Sequence, residues 1–150
     1  MEIEDDLISL KLPDATQEES IIKVIGVGGG GSNAVNHMFR QGIHGVEFVV
    51  CNTDIQALRQ SRVKNRIQLG KELTEGRGAG CQPERGRLSA IESMDFIKTI
   101  LEHNTRMVFI TAGMGGGTGT GAAPEIARQA KELVPVRHRS LRRSPRRKAH

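Results

Sequence analysis

Cysteine is scarce and falls into no pattern. The chain has 150 residues and two cysteines, Cys51 inside an apolar run and Cys81 in a glycine-rich stretch. Two such residues make neither a disulfide framework nor a metal site, and a reducing cytosol fits them best. The five histidines, His37, His44, His103, His138 and His150, are scattered without ligand spacing. No apolar run approaches the roughly 20 residues of a membrane span, so no direct membrane insertion is expected. The first residues, Glu2, Glu4, Asp5 and Asp6, are acidic, which is wrong for a secretory signal. The lysine-bearing phosphate loop, G-x-x-x-x-G-K-[ST], is also missing, because Gly70-Lys71 is followed by Glu72.

Glycine is what the chain has in excess. Eleven of its 18 glycines fall in two stretches, five in 26–31 and six in 113–121. Such clustering means specialised loops, whereas glycine spread evenly would mean a flexible chain. At 37% hydrophobic and 26% charged residues the composition is that of a soluble globular domain. The net charge of +5 comes from the C-terminal end. Residues 135–150 carry seven Lys/Arg and no acid, which leaves 15 basic against 17 acidic residues in the rest.

The apolar pattern reads as an alternation of strands and helices. Residues 1–20 form a polar, acidic, flexible arm. Ile21 to Val27 is a β-branched run ending in glycine, typical of a buried parallel strand. After Gly28 to Gly31, Ser32 and Asn33 are candidate caps for a helix reaching about Gln41, which Gly42 ends. Val46 to Cys51 is a second strand, followed by a short helix over about 55–61 that carries Leu58. Arg66 to Leu69 reads as an edge strand. Pro83 suits a helix start, and Leu88, Ile91, Met94, Ile97 and Leu101 recur at helical spacing, which predicts one helix over about 84–103. Met107 to Thr111 is the next strand, with Met94 and Met107 as core filling. Thr118 opens a helix reaching Leu133. The expected fold is therefore α/β, a Rossmann-like parallel sheet with helices on both faces.

Two glycine loops each follow a strand and open a helix. Gly26, Gly28 and Gly31 match G-x-G-x-x-G, and Asp54 lies 23 residues further on, where a dinucleotide site would place its ribose-binding acid. One loop of this kind also arises from tight turns alone, and Asp54 is equally suited to capping the helix after it. The second loop, Gly115 to Gly121, shifts the balance. Glycine leaves backbone N–H groups bare to an anion, the helix N-terminus adds partial positive charge, and Thr118 and Thr120 offer hydroxyls. At the carboxyl ends of parallel strands the two loops would converge on one polyphosphate. Gly78-Ala79-Gly80 is placed to close over its end. Phosphate charge would then be met by backbone dipoles and a bound Mg²⁺.

The stretch from Met107 to Pro124, including Gly115-Gly116-Gly117-Thr118-Gly119-Thr120-Gly121, resembles the signature of the tubulin/FtsZ family. Ile22 to Val35, Asn52-Thr53-Asp54 and Gly76 to Pro83 resemble the bacterial cell-division members rather than eukaryotic tubulin. The resemblance covers Ile21 to Leu133 in register. It implies GTP or GDP as ligand with Mg²⁺, head-to-tail self-association into filaments, and a cytoplasmic division ring. It also assigns roles to residues. Gly29, Gly30, Gly31, Ser32 and Asn33 should touch the α- and β-phosphates. Ala79 and Gly80 should lie near the γ-phosphate, and Gly116, Gly117, Thr118, Gly119 and Thr120 should wrap the phosphate chain. Asn52 and Asp54 should line the pocket, through Mg²⁺ or water. In the family, base contacts and the loop that activates water come from beyond Leu133. This chain is therefore expected to behave as a fragment reading phosphates only, without catalytic residues of its own and with little preference for GTP over ATP.

Residues 134–150 break the resemblance. They carry no period and read as a basic, disordered tail. One reading is an arginine-rich arm that meets phosphates unspecifically, since it has no aromatic for base stacking. The other is an out-of-frame read with no selected function. Two further functions compete with the GTPase reading. A non-enzymatic fragment would interfere with filament assembly, and a dinucleotide-binding domain would retain NAD in place of GTP. The strand at 107–111 is expected to lie at an exposed, apolar edge.

Overall fold

The computed structural model describes residues 21–134. The arm expected at 1–20 and positions 135–150 of the expected tail lie outside them. Ile22–Val27 forms β1, because side chains branched at Cβ suit an extended, doubly covered strand. The chain continues through α1 (Gly28–Arg40), β2 (Glu47–Asn52), α2 (Ile55–Gln60), β3 (Asn65–Gln68) and α3 (Lys71–Thr74). It then forms α4 (Pro83–Glu92), α5 (Met94–Glu102), β4 (Met107–Ala112) and α6 (Thr118–Leu133).

The four strands make one parallel sheet in the order β3-β2-β1-β4. Val24 stands between Phe48 of β2 and Phe109 of β4, and Val50 pairs with Arg66 of β3. Alternation along the strands sends successive side chains to opposite faces. Val24, Phe48 and Val50 pack with Val35 of α1 and Leu58 of α2. Ile25, Val27, Val49 and Cys51 pack on the other face with Ala90, Ile97, Leu101 and Ile126 of α4, α5 and α6. The expected parallel sheet with helices on both faces is what forms.

Several local expectations do not hold. Helix α1 begins at Gly28, four residues before the expected cap, and Val27 precedes it without a side-chain cap. Ser32 and Asn33 lie inside the helix. Glycine is a poor helix former, so a run of it reads as loop, but here the run supplies the helix's first turn. The helix expected over 84–103 is two helices broken at Ser93, whose backbone leaves the helical region (φ −98°, ψ 12°). Its hydroxyl accepts from Gly70 N at 3.0 Å and donates to Gln68 O at 3.2 Å, tying the break to the end of β3. The break also changes which side is buried. Leu88 and Ile91 are exposed, while Gly86, Ser89 and Ala90 face inward. Helix α3 was not anticipated. Met107 is half exposed rather than core filling, and Phe109 is 55% exposed beside it, because β4 is an edge of the sheet. Val134, the first residue of the expected tail, is buried and donates its N–H to Ala130 O.

At the amino end of the sheet lies a charge no pattern marked. Lys23 is 1% exposed. Its ammonium donates to Ile100 O and His103 O, both at 2.8 Å, and sits 3.2 Å from Glu47 Oε2. Lys23 therefore closes the C-terminal end of α5 onto β1 and β2, where cations are favoured.

Candidate phosphate-binding site

The opposite end of the sheet gathers the glycine loops. From β1 the chain moves outward to β2 and β3, then crosses back to place β4 on the other side of β1. The strand order thus reverses between β1 and β4, and the crevice outside their carboxyl ends is where open α/β sheets hold ligands. Helix α1 leaves β1 there, and α6 begins a few residues past β4.

The two loops meet directly. Gly28 has φ +73°, a left-handed conformation that disfavours any side chain. A Cβ there would stand 2.8 Å from Gly119 N. Gly30 lies against Gly113 in the same way, with 3.2 Å from its would-be Cβ to Gly113 Cα. The third stretch joins through Gly117, whose would-be Cβ is 2.8 Å from Ala79 Cβ and 2.9 Å from Gln82 N. Ala79 is buried in that contact, and Gly80 beside it is exposed. This third stretch is also pinned to α2, since Ile55 N donates to Gly76 O at 3.1 Å.

Between these contacts the backbone is bare. Gly29, Gly30, Gly116 and Asn33 are exposed, and nothing stands within 4 Å of a Cβ built on Gly29 or Gly116. Gly31, Gly117 and Gly119 are buried and serve the packing of the loops. The first N–H groups of α1 and α6 have no partner within their own helices, and both helices present positive dipole ends. Ser32 stands beside these amides. Its Oγ is buried and has no hydrogen-bond partner among the described residues, and leaving such a group unpaired costs about 1–3 kcal/mol.

The side chains at the end of β2 are otherwise engaged. Asn52 is buried, and its Oδ1 accepts from Asp54 N at 3.2 Å. Asp54 Oδ1 accepts from Gln56 N at 2.9 Å and Ala57 N at 3.2 Å, so this carboxylate caps α2. That arrangement engages Oδ1 of Asp54 in the cap expected of it. Thr120 Oγ1 accepts from Gly115 N at 3.0 Å and steadies the second loop. Thr118 Oγ1 lies 2.8 Å from Thr53 Oγ1, with both groups buried. Thr53 is the contact sequence reasoning missed. The only signal was its place between Asn52 and Asp54 at the end of a central strand.

Among the described residues no three His, Cys, Asp or Glu side chains are grouped to hold a metal. Cys51 lies buried just beneath, and burial pushes its thiol up to about 12, so it is neutral and unreactive at ordinary pH. Among the described residues no helix is long and apolar enough to cross a membrane.

A parallel sheet whose reversal point carries two glycine-opened helices is the architecture of α/β proteins that hold nucleotides. Residues 21–139 match the GTPase domain of the tubulin/FtsZ family, and the chain belongs to that family. It is 59% identical over 121 residues to the cell division protein FtsZ of Buchnera aphidicola from Acyrthosiphon pisum, covering 81% of this chain and 31% of that protein. A solved FtsZ dimer from M. jannaschii, in its empty state, superposes with a TM-score of 0.73 at 42% identity, over 79% of this chain and 34% of that one. CetZ2 from Haloferax volcanii, solved as a protofilament with GTPγS bound, gives 0.68 at 26% identity, over 77% and 37%. The chain thus spans about a third of the length of these relatives.

Proposed function

We propose that this chain binds the phosphates of a guanine nucleotide, GTP or GDP, at the crevice between β1 and β4. The observation that carries the reading is Ser32 Oγ, buried without a partner among the described residues just past the glycine first turn of α1, where an anion would complete it. Gly29, Gly30 and Gly31 would give N–H groups to the α- and β-phosphates, and Asn33 would lie at the rim. Gly116 to Thr120 would hold the chain of phosphates from the other side, and Ala79 with Gly80 would border the γ-phosphate. Mg²⁺ would be held by phosphate oxygens and water, near Asn52 and Asp54 but without a protein ligand cluster. Its bound form would neutralise charge on the outer phosphates.

The described residues read phosphate, so GTP and ATP are expected to bind similarly here. Hydrolysis and head-to-tail filament formation are proposed for the assembled family protein, at the bacterial division site. Support for self-association comes from the relatives solved as a dimer and as a protofilament. Calorimetry of the chain with Mg²⁺-GTP, Mg²⁺-ATP and NAD tests the site. Saturable binding of both triphosphates is expected. Thr118→Ala should weaken it about tenfold or more, the worth of a hydrogen bond to a charged group. Retention of NAD alone, or a folded chain that binds no nucleotide, would overturn the proposal.

A further inference from the structure

Thr53, the residue after β2, is wholly buried, and its hydroxyl meets that of Thr118. We infer that Thr53 is a positioning residue that sets the hydroxyl of Thr118 to donate toward a bound nucleotide's phosphate, an inference that rests on the proposed phosphate site. At 0% exposure Thr53 does not reach a ligand itself. Its Oγ1 lies 2.8 Å from Thr118 Oγ1, 65 residues away in the chain. Thr118 is the first residue of α6, at the helix end where an anion would sit.

Each hydroxyl has one hydrogen and two lone pairs, so one of the two donates to the other. Were Thr118 the donor, its oxygen would show a phosphate only lone pairs, and the contact would be repulsive. With Thr53 as donor, Thr118 keeps its hydrogen for the phosphate, and its own acceptor site is filled. The chain Thr53→Thr118→phosphate is then a cooperative one, in which each donor polarises the next. The pairing also holds the Thr118 side chain. A helical threonine otherwise divides between two χ1 positions. The oxygen of Thr120 accepts instead from Gly115 N, five residues before it. The consequence is specific. Thr53 belongs to the loop after β2 and Thr118 to the helix after β4, so one hydrogen bond couples the two sides of β1 to ligand affinity.

Four variants of the full chain test this: Thr53→Val, Thr53→Ala, Thr53→Ser and Thr53→Val combined with Thr118→Ala. Affinity for Mg²⁺-GTP and Mg²⁺-ATP is read by calorimetry, and folding by thermal melting. Removing the hydroxyl, as Val or as Ala, should weaken both nucleotides by the same factor, about threefold to tenfold, the worth of one neutral hydrogen bond. Serine lacks the methyl and should melt lower than the parent, near the alanine variant, while binding within about twofold of the parent. Stability and affinity then move apart, which a merely structural role would not produce. In the Thr118→Ala background Thr53→Val should have no further effect on affinity. Unchanged binding by Thr53→Val, equal losses in the serine and alanine variants, or full additivity with Thr118→Ala would overturn the inference while leaving the phosphate site intact. A folded parent chain that binds no nucleotide would overturn the site, and the role of Thr53 with it.

Discussion

Replacing Lys23 with methionine keeps an apolar stem of similar length and deletes the ammonium. In the parent all three protons of that group are used, on Ile100 O, His103 O and Glu47 Oε2. Glu47 is 32% exposed, so solvent screens its share to under about 1 kcal/mol. The two carbonyls weigh more. They end α5 in a part-buried setting, and a hydrogen bond from a charged donor contributes about 1.5–3 kcal/mol. The hydroxyl of Thr105 lies 3.1 Å from His103 O and 3.5 Å from Ile100 O, so it retains a partner for the first carbonyl and little for the second. One carbonyl largely lost and one weakened give an expected cost of about 3 kcal/mol, a large share of a typical domain's 5–15 kcal/mol. Urea unfolding followed by circular dichroism measures it. With a slope near 2 kcal/mol/M the midpoint should fall by about 1–2 M, and Glu47→Gln should move it by less than about 0.5 M. A fall of under about 0.3 M for Lys23→Met would refute the assignment of the ammonium as the clamp on α5.

Burial makes a second outcome visible at high pH. The Cys51 thiol is raised from 9.0 to about 12 in the folded chain, so below pH 9 it is neutral in both states and its contribution is fully present. Between pH 9 and 12 the unfolded chain ionises this thiol and the folded chain does not, so stability should fall by about 1.4 kcal/mol per pH unit from this group, and Cys51→Ala should remove that part of the slope. In the native state at pH 8 a thiol reagent should modify exposed Cys81 promptly and Cys51 only on unfolding. At the site, Gly28→Ala forces a side chain into a left-handed backbone and onto Gly119 N. It should cost about 2 kcal/mol or more in thermal or urea unfolding and also weaken Mg²⁺-GTP in the fraction that remains folded.

What was legible from the sequence was whatever local composition decides. Apolar runs rich in β-branched residues marked three strands and alternation marked the fourth, each to within a residue or two, and the glycine clusters marked where the candidate site lies. Ser93 shows where that reasoning stops. Its neighbours keep a helical period, and the break exists because Gly70 and Gln68, distant in the chain, recruit the hydroxyl. Lys23 carries no local signal, since its carbonyl partners lie 77 and 80 residues on. The start of α1 was misplaced because a run of glycine signals a loop unless something outside the helix needs its bare amides. Thr53 escaped for the same reason as Lys23, its partner being fixed by the sheet order rather than by neighbouring residues.

That sheet order bears on how the molecule comes together in time. β1 is central, but one of its two neighbours, β4, pairs through Ile22 and Met107, about 85 residues apart in the chain. β1, β2 and β3 can meet early, while the last pairing must close a long loop against chain entropy and so is slow. During synthesis the first glycine turn would emerge and wait for the second. Because Gly28 can meet Gly119 only after β4 docks, formation of the proposed phosphate site should report the final folding step rather than any earlier one.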